Sequence, residues 1–400
     1  MMKKLNFLIN LPNTLFILLI LNILELTTQP ELITIGKTGI QISLFISLIL
    51  FLYFIVFQTK KSVLTILPIF ISLTAIAFLY TLSHLYNRNF DNDRILATFM
   101  ITLMYLVVLT HIDWKKKHFN FISFTSIILV LLLFINWLSS DMPFQKFEGI
   151  IRNPNLTGIF LFILMFFQLL GLVKGKILYN ILIVFSIIIN LFLIYVTTSR
   201  TVYLSIFIII LSLTVMKFSK KLYKYLFYIF VLFNLTSFFV YFKLYNSSYR
   251  NILNEWSREY FNKNFFSGRQ TIWDEAVKYG IQSPIIGHKV GIKPDEYLST
   301  KGYAHVHNQY LQIFLESGML GFISFLIFLV VLWKYLSINL ESYVIKLSSS
   351  FYLGIIVYQN YELNLLLVNK SIGFLLWLII FLGVGFSIRI KHKSRKENPE

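Results

Sequence analysis

Runs of about twenty apolar residues recur along the chain with short polar connections between them, and they decide what this sequence can become. A helix of that length matches the hydrocarbon thickness of a bilayer, and lipid accepts apolar side chains on every face of it. The runs predict helices over 5–25, 40–58, 62–82, 94–112, 119–138, 156–173, 177–196, 201–216, 221–242, 308–333, 343–360 and 366–388. The expected fold class is an all-α polytopic membrane protein with about twelve transmembrane helices. Composition agrees: 57% of residues are hydrophobic and 14% charged, with mean hydropathy +0.71. No soluble interior of this size would hold so much apolar surface. The first run is not expected to be a cleaved signal, because no small-residue cleavage site follows Glu25 and Leu26. The chain has no cysteine, so disulfides and thiolate metal sites are excluded.

The formal net charge of +18 would suggest nucleic acid if it were clustered, but it is distributed by topology. Alternate connections carry Lys3–Lys4, Lys60–Lys61, Lys115–Lys117, Lys174/Lys176, Lys217–Lys224, Lys334/Lys346 and the tail from Arg389 to Lys396. These hold twenty basic residues. The intervening short connections hold seven: Lys37, Arg88, Arg94, Lys146, Arg152, Arg200 and Lys370. The positive-inside rule then predicts that both termini are cytoplasmic, with no nucleic-acid partner. The segments follow in order. Residues 1–155 carry helices one to five and 156–242 carry helices six to nine. A periplasmic loop spans 243–307, helices ten to twelve span 308–388, and a basic tail occupies 389–400. No internal repeat of the kind found in many transporters is visible.

The long outer loop contains two helical patterns. In 249–265, Ile252, Leu253, Trp256, Tyr260 and Phe261 recur at three- and four-residue steps, which suits a helix lying in the membrane interface. In 268–279, Ile272, Trp273, Ala276 and Val277 make one apolar face, with Ser267 as the expected N-cap and Gly280 as the stop. Three ionisable residues stand at the outer boundary, where charge is costly and functional suspicion is highest. Arg200 opens the eighth helix after Thr197-Thr198-Ser199, Arg269 starts the second loop helix, and His307 is expected in the first turn of the tenth helix. Two guanidiniums grip a diphosphate bidentately, helix N-termini favour the same anion, and a neutral histidine accepts a proton.

Each has a plainer reading alone. Arg200 snorkels, Arg269 is a solvated loop charge, and His307 is a structural hydrogen-bonder. A metal held by His305 and His307 with Asp295 or Glu296 is the lesser alternative. Asp91-Asn92-Asp93 has metal-binding spacing, but a solvated turn before the fourth helix is preferred.

Taken in order, these pieces resemble the O-antigen ligase and repeat-unit polymerase family of bacterial membrane glycosyltransferases. The resemblance rests on Arg152-Asn153-Pro154-Asn155, Thr198-Ser199-Arg200, Ser267-Gly268-Arg269-Gln270-Thr271-Ile272-Trp273 and Ser283-Pro284-Ile285-Ile286-Gly287. It continues through His307-Asn308-Gln309-Tyr310-Leu311-Gln312 and Leu315-Glu316-Ser317-Gly318-Met319-Leu320-Gly321, and covers about 150–325. It implies transfer of a glycan from an undecaprenyl diphosphate carrier to an acceptor sugar hydroxyl at the periplasmic face, metal-independent and inverting, with no cofactor. By the same resemblance, Arg200 and Arg269 hold the diphosphate and His307 is the base, while Arg152, Asn308 and Tyr310 contribute to substrate binding. Glu316 is a structural partner for an arginine or a loop N–H. Trp256, Tyr260, Trp273, Tyr297 and Tyr303 stack on sugars or anchor at the interface.

The Ser-Gly-Arg…Ile-Trp and His-Asn-Gln-Tyr-Leu blocks favour a polymerase, with a chain-length regulator as a partner. The alternative is a ligase acting on lipid A-core. A flippase or transporter, and a non-catalytic scaffold, are readings of another class. The transferase reading requires Arg200, Arg269 and His307 to converge at the outer membrane boundary, beside a lateral opening to lipid.

Overall fold

The computed structural model describes residues 2–57, 60–87, 92–151, 153–172, 176–298 and 305–397. The first five helices are α1 (Met2–Asn22), α2 (Pro30–Phe57), α3 (Lys60–Tyr86), α4 (Asp93–Leu109) and α5 (Lys116–Ser139). The next four are α6 (Pro154–Leu170), α7 (Ile177–Thr197), α8 (Arg200–Phe218) and α9 (Lys220–Tyr245). After the loop helices α10 (Tyr249–Phe261) and α11 (Arg269–Gly280) come α12 (Gln309–Leu336), α13 (Tyr343–Tyr358) and α14 (Lys370–Glu397). Among the described residues the only β-pairing is an isolated bridge between Thr27 and Ile151.

Every expected apolar run is a helix. Eight of them, α2, α3, α5, α7, α8, α9, α12 and α14, contain a stretch long and apolar enough to cross a membrane. Asn10–Leu26, Pro154–Leu170 and Tyr343–Tyr358 are shorter apolar helical stretches, and α4 has 17 residues. The chain is thus a multi-pass membrane protein, with eight helices of spanning length among the described residues.

Packing sorts the helices into centre and rim. α6, α13 and the apolar length of α14 are apolar all round and buried, with α13 wedged between α8 and α14. Around them, α2, α3, α5, α7, α8 and α9 present Phe45, Ile55, Ile71, Phe78, Ile135, Ile188, Phe207, Ile210 and Phe239 outward. A water-soluble protein would not expose so continuous an apolar surface, but a lipid-facing rim does.

Helix boundaries differ from expectation where tertiary contacts extend or shorten a run. α2 begins at Pro30, ten residues before the apolar run, because Gly36 and Gly39 let its first turns lie against Asn22 and Glu25. Asn22 then donates to Ser43 at 2.9 Å. α14 begins at Lys370 and not 366, because 359–369 is held as an irregular connection: Leu365 N–H donates to Gln309 and Asn369 to Asn364.

Two of the quoted sequence blocks are the halves of one interlock. α12 is broken at Gly318, whose φ of 65° and ψ of −165° belong to glycine alone. The freed backbone pairs with 283–288: His288 N–H donates to Leu315 O at 2.9 Å, and Met319 N–H to Pro284 O at 2.8 Å. Gly287, also at positive φ, lies against the backbone of 316–318. Glu316 sits fully buried beside this break. It accepts from Gly291 N–H (3.0 Å), Gln312 (2.8 Å) and Tyr80 (3.0 Å), so its partners are a loop N–H and two side chains, not an arginine. Ser83 of α3 donates to its carbonyl at 2.6 Å. The interlock thereby ties the long loop to α12 and α3.

A methyl group at position 318 would overlap the Ile285 carbonyl in a backbone region closed to alanine. Gly318→Ala should therefore lose roughly 2–3 kcal/mol or more. The loss would be read as a lowered Tm and a smaller monodisperse peak in detergent, and a parent-like Tm would contradict the interlock.

Candidate functional site

The described parts of the loop, 243–298 and 305–307, form a small folded unit with its own core. Trp273, Ile272 and Ala276 of α11 pack with Tyr241 of α9, Phe266, Val306 and Leu315. Trp273 is buried and donates its indole N–H to Val306 O at 2.8 Å, so it is a core residue and not a sugar platform. α10 is amphipathic as expected: Tyr249, Ile252, Trp256 and Tyr260 form one exposed stripe, while Ser257 is buried on the opposite face. Tyr297 stacks on Tyr279 and is half-buried, and Tyr303 lies outside the described residues.

Between this unit and the helix ends lies a cavity of about 390 Å³. Its lining comes from five connections at the same end of the bundle. They are the start of α6 (Asn155), the α7–α8 turn (Thr198, Arg200, Thr201), and α9 with the loop (Tyr241, Lys263, Phe265, Ser267, Arg269). His307 before α12 and the α13–α14 connection (Tyr361, Glu362) complete it. The three residues singled out from sequence, Arg200, Arg269 and His307, all line it.

Local backbone explains how they get there. Thr198, Ser267 and His307 have φ of 53°, 52° and 52°, left-handed conformations that non-glycine residues adopt rarely. Three such residues around one cavity mark a place where the fold holds side chains against local preference. Gly158 of α6 leaves room for the 197–199 turn, since a Cβ there would lie 2.9 Å from Ser199. Ser267 is not the N-cap of α11. Gly268 occupies that position at φ 75°, and the Ser267 hydroxyl instead faces Arg200. Gly280 is the last residue of α11, lies against Phe314, and is followed by no left-handed turn. His307 precedes the first turn of α12, whose N-cap is Asn308.

Arg200 holds the loop. Its guanidinium donates to Ser257 Oγ (2.7 Å), Asn264 O (3.1 Å) and Ser267 Oγ (2.7 Å), all neutral acceptors. Arg269 is tied differently. It donates to Tyr361 O at 2.8 Å, lies over the Tyr361 ring at 5.6 Å, and meets Glu362 Oε1 at 3.4 Å. The other carboxylate oxygen of Glu362 is 3.4 Å from His307 Nδ1, and Asn155 Nδ2 lies 3.5 Å from Oε1. Glu362 is buried between Arg269 and His307, with a carboxyl oxygen toward each. Lys263 completes the charged lining. Burial first, then the like charges of Arg200 and Lys146, hold its ammonium below the ordinary lysine range.

Other expected positions fall elsewhere. The Asn308 side chain caps α12 by accepting from Leu311 N–H at 3.0 Å. Tyr310 is buried and donates to Ile356 O at 2.7 Å while accepting from Asn234. Neither is among the residues lining the cavity; here Asn308 caps α12 and Tyr310 packs in the core. Arg152 lies outside the described residues; beside it, Asn153 caps α6 with Pro154 at the first helical position. Asp91 also lies outside them, and Asp93 pairs with His84 at 2.8 Å. Among the described residues no group of three His, Asp or Glu is arranged to hold a metal ion.

Glu362, Lys263, Tyr361 and Ser257 were not anticipated. Glu362 carried one signal: it is the only acidic residue in the short connection between the last two apolar runs.

Residues 185–326, from within α7 to within α12, match a family model described as O-antigen ligase. No curated protein matches the chain. The matched stretch contains Arg200, Lys263, Arg269 and His307, whereas Asn155, Tyr361 and Glu362 reach the cavity from outside it.

Hydrogen bonds to a charged group are worth about 1.5–3 kcal/mol each. Arg200→Ala should therefore raise amide hydrogen exchange across α10 and residues 262–267 by about tenfold or more. Exchange equal to that of the parent would mean Arg200 does not hold the loop.

Proposed function

We propose that this chain is a membrane glycosyltransferase that moves a glycan from a polyprenyl diphosphate carrier, undecaprenyl diphosphate in a bacterium, to an acceptor sugar hydroxyl at the outer face of the inner membrane. The observation that carries the reading is the convergence of Arg200, Arg269 and His307 on one cavity at the bundle end opposite the lysine-rich connections. That polarity supports an outer location for the cavity and cytoplasmic termini. The match over 185–326 supports the reaction class.

The chemistry assigns each group a task. The acceptor hydroxyl oxygen attacks the anomeric carbon, the carbon–oxygen bond to the diphosphate breaks, and the diphosphate leaves with the bonding electrons. Attack from the face opposite the leaving group inverts the anomeric centre. Arg269 and Arg200 would bear the charge that grows on the leaving oxygen. His307 takes the hydroxyl proton. In the tautomer that donates Nδ1–H to Glu362, Nε2 carries the lone pair that takes that proton, and the carboxylate would stabilise the imidazolium that forms. Glu362 is therefore a positioning residue, holding Arg269 and His307 in fixed relation.

The acceptor separates two versions of the reading. The ordered motifs favour a polymerase, which extends one carrier-linked glycan with another. The matched family model is described as O-antigen ligase, which favours transfer to lipid A-core.

Purified protein in lipid, given a polyprenyl diphosphate glycan alone and then with lipid A-core, tests both. Longer glycans in the first reaction identify a polymerase, and transfer only in the second identifies a ligase. His307→Ala should lower turnover by about 10²- to 10⁴-fold. Glu362→Gln should lower kcat by roughly tenfold or more with KM for the acceptor little changed, because it disturbs orientation and not substrate contact. Product in neither reaction, or His307→Ala indistinguishable from the parent, would remove the enzyme reading. The arginine mechanism also predicts full activity in a chelator; loss restored by a divalent cation would contradict it.

A further inference from the structure

A second cavity, of about 350 Å³, lies at the same end of the bundle as the first and is lined by different residues. Three of its side chains are ionisable: Glu25, Lys37 and Lys370. Glu25 sits in the 3₁₀ turn Ile23–Leu26 that follows α1, and Gly36 lets α2 press against its backbone, which brings Lys37 alongside. Lys370 is the first residue of α14, where the positive end of the helix disfavours an ammonium and favours an anion. Glu25 and Lys370 are half-buried near the lipid boundary, where an ionisable group is costly and marks a functional position. Both lysines act on Glu25, Lys370 the more strongly. Yet among the described residues none of the three side chains makes a hydrogen bond or an ion pair. Two ammoniums and a carboxylate held apart around a space leave room for a group with the opposite pattern of charge.

The lining shows what that group is attached to. Lys37, Ile40, Gln41 and Leu44 recur at three- and four-residue steps, so one face of α2 forms a wall. Along it the lining passes from the exposed Lys37 to Ile40 and Leu44, the last about two turns further into the bundle. Beyond Leu44 the outward side of α2 is the apolar rim of Phe45 and Ile55. A charged mouth above an apolar floor, bordered by a lipid-facing rim, has the polarity of a membrane lipid entered from its headgroup.

We propose that this cavity binds a bilayer phospholipid by a phosphoethanolamine headgroup, with Lys37 and Lys370 on the phosphodiester and Glu25 on the ammonium. A phosphodiester without an amine would leave the Glu25 carboxylate facing like charge, whereas a headgroup carrying both charges a short link apart satisfies all three side chains. The amine must carry N–H groups, since the strong contact for a carboxylate is a charge-assisted hydrogen bond and a trimethylated amine has none to give. Leu367 and Asn369 of the lining belong to the irregular connection 359–369 that also supplies Tyr361 and Glu362 to the first cavity. A lipid seated here braces that connection at its α14 end. The assignment does not depend on the transferase reading and uses residues to which that reaction gives no task.

The test is native mass spectrometry of the full chain released from nanodiscs that hold equal parts of phosphatidylethanolamine, phosphatidylglycerol and phosphatidylcholine with the same acyl chains. The parent should retain phosphatidylethanolamine about fivefold or more above either of the others. Glu25→Gln should lose the preference over phosphatidylglycerol while still retaining phospholipid. Lys37→Gln and Lys370→Gln should each lower retention of phosphatidylethanolamine and phosphatidylglycerol together, by about fivefold. Lys37 is exposed, so its variant tests the site even if Lys370→Gln fails to fold, and a parent-like elution profile and Tm confirm folding. Amide exchange across 363–369 should slow when phosphatidylethanolamine replaces phosphatidylcholine in the disc, and unchanged exchange would overturn the bracing of the connection. Phosphatidylethanolamine retained no better than the other two, or parent-like retention in folded Lys37→Gln and Glu25→Gln, overturns the site. Equal binding of glycerophosphoethanolamine, which lacks the acyl chains, would put a soluble ligand there and overturn the lipid assignment.

Discussion

A carboxyl group buried at the end of an apolar helix bundle must find polar partners there, and Glu362 finds them in Arg269 and His307, with Asn155 beside them. Removing one partner of a buried charge leaves the other uncompensated, so these residues act as a unit whose parts come from three distant stretches of chain. Arg269 arrives on the loop, His307 at its exit, and Glu362 between the last two helices. Their meeting requires the loop to be docked, and docking is the work of Arg200 and of the Gly287–Gly318 interlock. The site and the loop's fold are thus one problem with one solution.

The interlock explains why a broken helix is tolerated in an apolar environment. Freed N–H and C=O groups in α12 are taken up by 283–288, and Glu316 satisfies a further loop N–H. Non-helical backbone at such a depth persists only where protein supplies its hydrogen bonds. Two sequence blocks that read as separate motifs are therefore complementary surfaces of one joint.

Much of the fold was legible because a membrane helix declares itself locally. Each apolar run needs no partner to predict it, and all twelve runs are helices. The ends were less legible, since α2 gains its first ten residues through glycine packing on Asn22 and Glu25, a contact that no local pattern announces. At the site, arginines and a histidine beside apolar runs stood out as costly charges, and the cavity brings all three together. Glu362 and Lys263 did not stand out, because an acid or a lysine in a connection is usually solvated and only tertiary placement makes them buried. Asn308 and Tyr310 stand beside His307 in sequence, and helical geometry turns them toward a cap and a core. The Ser267 hydroxyl, expected to cap a helix, instead serves Arg200.

The central claim is that this cavity holds a lipid-borne diphosphate with its sugar facing His307. A cryo-EM map of the protein in nanodiscs with a non-transferable polyprenyl diphosphate glycan tests it most directly. The account predicts phosphate density within hydrogen-bond reach of Arg200 and Arg269, and the first sugar against His307. Phosphate density at the lysine-rich end of the bundle, or in any cavity lacking these three residues, would contradict it.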